Sequence, residues 1–132
     1  MTSGPIDPDV IELAGRLFDL ARFGHTEELM AYVEAGAPVN LTNDKGDTLL
    51  LLAAYYGHAG TVAELLARGA DHGRVNDKGQ TALAAAVFKQ SVETVEHLLA
   101  AGADPDLGGQ SARTTAQFFG LTAMSELLDR SR

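Results

Sequence analysis

Residues 43–75 are written again, 33 positions later, as residues 76–108. Asn43-Asp44-Lys45-Gly46-x-Thr48 returns as Asn76-Asp77-Lys78-Gly79-x-Thr81, and Leu65-Leu66-Ala67-x-Gly69-Ala70-Asp71 returns as Leu98-Leu99-Ala100-x-Gly102-Ala103-Asp104. A position-by-position count gives 15 identities in 33. A fixed period of this length marks a chain of stacked units, each too small to bury its own apolar face and each relying on its neighbours to cover it. The same offset relates Gly24-His25 to Gly57-His58 and Gly36-Ala37 to Gly69-Ala70, so a degenerate first copy precedes the two full ones. Copies at about 10–42, 43–75, 76–108 and 109–130 account for nearly the whole chain, which reads as one domain over 1–132.

Within a copy, Gly46 or Gly79 permits a tight turn, and Thr48 or Thr81 caps a first helix. Gly57 ends that helix. A second helix then buries Val62, Leu65 and Leu66, or Val95, Leu98 and Leu99, until Gly69 or Gly102 stops it. Burying one leucine is worth about 1.5–3 kcal/mol, so a charge at Leu65 or Leu98 is expected to unfold two neighbouring units together.

The ends depart from the pattern as terminal units should, since one face of each has no neighbour. Met1 to Pro8 reads as a short lead-in, with Asp7 or Asp9 available to cap the first helix and Pro8 tolerated at its start. From Val10 to Phe23 the residues Val10, Leu13, Leu17, Leu20 and Ala21 fall at helical spacing, with Gly15 where later copies carry threonine. Asp9, Glu12, Arg16 and Asp19 would give this helix a polar outer side. In the last copy the turn at Leu107-Gly108-Gly109-Gln110 is shortened, and Ser111 replaces threonine as the cap. Four residues are missing if Leu127-Leu128 is matched to Leu98-Leu99, three if Gly120 is matched to Gly57.

The period and the motif resemble the ankyrin repeat, a turn followed by two antiparallel helices. Gly46, Thr48, Leu50, Leu52, Ala53, Ala54, Gly57, His58, Val62, Leu65, Leu66, Gly69, Ala70 and Asp71 match that family's pattern. Leu49 and Leu51, and then Ala82 and Ala84, stand where the family has proline and histidine. The resemblance implies an all-α solenoid of helix-turn-helix units joined by β-turn or hairpin loops.

Little else in the sequence suggests chemistry. A formal charge of −8 opposes polyphosphate binding, and taken over the whole chain it is complemented by a basic partner surface or serves simply for solubility. Cysteine is absent, and neither a leader nor a membrane-length apolar run is present, so a cytoplasmic protein is expected. Phosphate-loop, metalloprotease and nucleophile-elbow motifs are all missing. His25 and His58 occupy equivalent positions at a helix start, where bonding to nearby backbone is the plain reading. His72 beside Asp71, and His97 beside Glu93 and Glu96, lack a third ligand at useful spacing, so no metal or cofactor is expected.

The aromatic residues are more telling. The two residues before Gly57 are Tyr55 and Tyr56; their equivalents are Arg22 and Phe23, then Phe88 and Lys89, with Phe118 and Phe119 at or within one residue of the same place. Six of the eight aromatics thus form a stripe at one end of the first helices. The plainer alternative is that one ring of each pair packs between units. The resemblance to ankyrin repeats implies that these positions face a binding groove beside the turn tips at Asp44, Lys45, Asp47, Asp77, Lys78 and Gln80. The expected function is a non-enzymatic protein-interaction module, a monomer with an unidentified protein partner and no nucleic acid or membrane; the alternative is a homo-oligomer that self-associates through the stripe.

Overall fold

A computed structural model of the chain describes residues 8–130; residues 1–7 and 131–132 lie outside it, and with them most of the expected lead-in and the capping role of Asp7. Among the described residues there are eight helices and no strand. They run as α1 (Pro8–Phe23), α2 (Thr26–Glu34), α3 (Leu49–Tyr55), α4 (Ala59–Ala67), α5 (Ala82–Lys89), α6 (Val92–Ala100), α7 (Ala112–Phe118) and α8 (Thr122–Arg130). An isolated bridge of β type joins Thr42 to Thr48 at the base of a turn.

Each first helix starts where a hydroxyl can accept a free amide. Thr48 accepts from the Leu51 amide at 3.0 Å, Thr81 from Ala84 at 3.1 Å, and Ser111 from Thr114 at 3.1 Å. Ser111 therefore takes the place of threonine, and it lies 30 residues after Thr81 rather than 33. The short turn lacks three residues, not four, so Leu128 is the counterpart of Leu98 and Leu65. All three are completely buried.

The first helices stack in the order α1, α3, α5, α7, and the second helices α2, α4 and α6 stack behind them. A helix held between two neighbours and its own partner has no face left for water, which is why α3 is Leu-Leu-Leu-Leu-Ala-Ala and buries every one of those residues. Val62, Leu65, Val95 and Leu98 fill the layer between first and second helices; Thr61 and Thr94 are buried there too. Leu66 and Leu99, expected in the core, are only partly buried against it, because they sit one position round from the buried stripe.

Helix α1 also departs from expectation. Leu17, Leu20 and Ala21 are buried, but Val10 and Leu13 are exposed. The reason is length: α3 begins at Leu49, the counterpart of Arg16, so the first two turns of α1 extend past anything they could pack on. The helix runs straight through Gly15, where the later units have their capping threonine.

Candidate functional site

The turn tips are tied into a row before they present anything to a partner. Asn43 Oδ1 accepts from the amides of Lys45 and Asp47, both at 2.9 Å, while its own amide donates to the Asp47 carbonyl at 3.0 Å. Asn76 repeats this with Lys78 and Gln80 at 3.0 and 2.9 Å. The tips are then joined to each other: Asn76 Nδ2 donates to Asp47 Oδ1 at 2.8 Å, and the Asp77 amide donates to the Lys45 carbonyl at 3.0 Å. The Gln110 amide continues the row by donating to the Gly79 carbonyl at 2.9 Å. These bonds leave Asp44, Lys45, Asp77 and Lys78 exposed, whereas Asp47 and Gln80 are half-buried and their side-chain oxygens accept from Asn76 Nδ2. Asn43 and Asn76 are the residues that sequence reasoning missed as organisers of the tips; their identity in both copies, four residues before Asp47 and Gln80, is the signal that could have found them.

Between the tips and the ends of the first helices runs a groove of about 490 Å³. Leu51, Leu52 and Ala85 form its floor, Asn43, Lys45, Asp47, Asp77, Lys78 and Gln80 one side, and Tyr55, Tyr56 and Phe88 the other. Arg22 closes one end and is held by Asp19 at 2.7 Å.

The rings do not alternate between buried and exposed; both members of each pair are at the surface. Tyr55 and Tyr56 meet edge to face with centroids 5.1 Å apart, and Tyr55 stacks on Phe88 at 5.9 Å with planes only 4° from parallel. Phe88 meets Phe119 at 5.5 Å, and Phe119 meets Phe118 at 4.9 Å, both edge to face. Five rings thus make one continuous array across the three units from Tyr56 to Phe118, in the geometries aromatic pairs prefer. Phe23, expected in the same stripe, stands apart. Arg22 occupies the position equivalent to Tyr55, so no ring bridges the gap, and Phe23 contacts His25 at 6.3 Å instead. Lys89, the counterpart of Tyr56, leans back toward Gly57, where a Cβ would lie 3.6 Å from its Cε.

The histidines serve or decorate the backbone. His58 Nε2 lies 2.7 Å from the Arg22 carbonyl, tying α4 of one unit to the end of α1 in the unit before. His25, at the equivalent position, makes no capping side-chain bond. Nε2 of His97 is 3.6 Å from Glu93. Among the described residues no group of three or more histidines and carboxylates could hold a metal ion, and no helix is long and apolar enough to cross a membrane.

Away from the groove, two arginines cross-link units. Arg68 bonds Glu34 and Glu64, each at 2.5 Å, and Arg113 bonds Asp106 at 2.7 Å and Asp129 at 2.6 Å. Hydrogen bonds to Glu34 first, then Glu64, raise the Arg68 guanidinium above its usual value, and those to Asp106 and Asp129 do the same for Arg113. Exposed pairs of this kind add little to stability, because solvent screens them and ordering two long side chains costs entropy.

A sequence model describing ankyrin repeats in three copies matches residues 17–108. A protein of Pseudomonas aeruginosa strain PAO1, named as an ankyrin repeat protein, is 45% identical over 58 residues. That stretch covers 42% of this chain and 34% of the relative, so the match spans about a third of the relative's length.

Proposed function

The chain belongs to the ankyrin-repeat family, whose repeats generally serve as protein–protein interaction modules, and from that premise we propose that it is a non-enzymatic binding module gripping one partner protein in the groove. In this reading it acts as a cytoplasmic monomer. Residues 1–132 form one repeat domain, with units at about 10–42, 43–75, 76–108 and 109–130. The observation that carries the reading is the five-ring array. Aromatic side chains bury much area on binding at little entropic cost, and they dominate binding hot spots. Rings already in contact lose still less freedom when a partner covers them, which is a form of preorganisation.

The remaining residues take supporting roles. Asp44, Lys45, Asp77 and Lys78 set orientation and encounter rate at the rim, as charges there usually do. Asp47 and Gln80 brace the tips and present only one edge to a partner, while Arg22, Phe23 and Lys89 flank the rings. Four units offer the roughly 800 Å² per partner that a specific interface needs. A row of short stacked helices offers no enclosed chamber for a reaction.

The test compares capture from lysate of the source cell by the natural protein and by a Tyr55→Ser, Tyr56→Ser, Phe88→Ser variant, with circular dichroism confirming that the variant stays folded. A partner held by the first and lost by the second is the expected result. Equal capture by both would move the site to the second helices or the ends. Loss of a concentration-dependent dimer in light scattering, with no other protein captured, would instead make the array a self-association surface.

A further inference from the structure

Summed over the chain, the charge of −8 favours a basic partner, but its distribution points the other way. Helices α2, α4, α6 and α8 carry eight carboxylates against Arg130 and the imidazole of His97, and Arg68 at the end of α4 pairs with two of the eight, Glu34 and Glu64. Helices α3, α5 and α7 carry no carboxylate at all, and their two charges are Lys89 and Arg113. The chain has only three lysines, and all three, Lys45, Lys78 and Lys89, border the groove or its wall of rings. Ion pairing separates the two classes of cation further. Five arginines are paired with carboxylates, whereas among the described residues none of the three lysines is in an ion pair despite the excess of acid.

We infer that the groove accepts a partner segment in which apolar or aromatic side chains are flanked by carboxylates. This rests on the groove reading above. The apolar side chains lie against Tyr55, Phe88 and Phe119, and the carboxylates meet the free ammonium groups at either edge. The aspartates of the groove keep their charge but do not tie the lysines down: among the described residues no ion pair joins Asp44, Asp47 or Asp77 to Lys45, Lys78 or Lys89, and Asp47 accepts from the neutral amide of Asn76 at 2.8 Å instead. Lysine ammoniums stand out on four-carbon stems and are the charges an incoming chain meets first.

The acidic second-helix face lies a helix layer of about 8–10 Å behind, around the distance over which physiological salt screens exposed charges. Screened over that distance, its attraction for a basic segment at the groove is weaker than the repulsion from the lysines close by, and it holds an acidic segment away from the back of the molecule. Single-stranded nucleic acid also pairs rings with cations, but one phosphate per nucleotide would exceed three lysines and press against three aspartates.

Four stacked units are separated by three spacings of about 10 Å, a span of about 30 Å, or roughly nine extended residues. The experiment therefore selects a displayed library of random peptides of about twelve residues on three purified proteins: the natural chain, a Lys45→Glu, Lys78→Glu, Lys89→Glu variant, and the Tyr55→Ser, Phe88→Ser groove variant. All substituted side chains are at least partly exposed, and a Lys→Gln version of the triple change guards against misfolding of the Lys→Glu variant. The expected result is that the natural chain enriches acidic peptides with aromatic or leucine residues. These should bind about tenfold more weakly to the Lys→Glu variant and by an intermediate factor to the Lys→Gln one. Enriched peptides that are basic, or that bind all lysine variants equally well, would overturn the inference and leave the groove reading standing. Peptides indifferent to Tyr55→Ser, Phe88→Ser, or no enrichment at all, would sink both. A twelve-residue oligothymidine that binds more tightly than any selected peptide would reassign the lysines to nucleic acid.

Discussion

Helices α3 and α7 have the same length, the same kind of hydroxyl cap and a pair of aromatic residues at their ends, Tyr55-Tyr56 and Phe118-Phe119, yet they are buried very differently. Leu49 through Ala54 are buried without a break, while α7 buries only Ala112 and Ala116. The difference is the number of neighbours: α3 lies between α1 and α5, and α7 has α5 on one side only. Burial of a first helix is thus set by what stacks on it, as a one-dimensional array requires. The rings at the ends follow another rule. Tyr55, with neighbours on both sides, is still 41% exposed, and Phe118, at the end, is 79% exposed. A neighbouring unit covers the helix body and leaves the ring row open, so the row is a surface of the whole stack and not an accident of its end.

The largest test of this contrast puts a charge into equivalent core positions of an inner and an outer unit. Leu65→Asp removes a fully buried leucine between covered helices and strands a carboxylate there. It is expected to lower stability by about 4 kcal/mol or more, enough to unfold its own and both adjoining units. Leu128→Asp should instead release α7 and α8 alone. Urea melts followed by far-ultraviolet circular dichroism distinguish the two, since the second variant keeps most of the helical signal before its main transition. Equal loss of signal in both would mean that the four units form one cooperative block and that the end is no weaker than the middle.

A smaller effect compares two glycines that the repeat makes equivalent. Gly24 and Gly57 both end a first helix with positive φ, +71° and +79°. A Cβ on Gly24 would lie 2.6 Å from His58 Nδ1, whereas one on Gly57 meets only the flexible Lys89 stem at 3.6 Å. Gly24→Ala must therefore displace the His58 ring and its bond to the Arg22 carbonyl in addition to straining the backbone. Its expected destabilisation is about 2–3 kcal/mol, against about 1 kcal/mol for Gly57→Ala. A His58→Ala background should remove most of that difference. If the gap between the glycines survives in that background, the tight approach of His58 is not its cause.

What is legible in the sequence follows from which facts are periodic. The capping roles of Thr48, Thr81 and Ser111, the buried Val62, Leu65, Val95 and Leu98, and the ankyrin pattern all repeat, and a repeated residue reports a repeated environment. Val10 and Leu13 keep helical spacing but have no counterpart in α3 to pack on, so spacing alone misplaces them in the core. The stripe of rings is visible as a stripe; its continuity is not, because whether Tyr55 reaches Phe88 depends on how far apart the stacked helices stand. The side-chain bonds of Asn76 across to Asp47, and of His58 to the Arg22 carbonyl, likewise join residues 29 and 36 positions apart. The charge division needs only helix boundaries to be seen, but a whole-chain sum conceals it.

The smallest effect concerns the third member of the glycine series. Gln90 stands where the second unit has Gly57, and with φ of +59° it is the one non-glycine residue in the left-handed region among those described. Its backbone still does the glycine's work, since the Gln90 amide donates to the Val87 carbonyl and ends α5. Holding an L-residue in that conformation costs about 1–2 kcal/mol, and glycine would remove the strain. Glycine also gives the unfolded chain more freedom, which offsets about 0.4–1 kcal/mol of the gain. Gln90→Gly is therefore expected to stabilise the protein by about 0.5 kcal/mol, read as a small rise in the urea midpoint at unchanged slope. The sign matters more than the size. A stabilised variant makes Gln90 a strained residue kept for a reason other than folding, beside Lys89 at the edge of the ring row. A destabilised one means that its side chain supports the turn, and that the third unit ends its first helix by a different balance from the second.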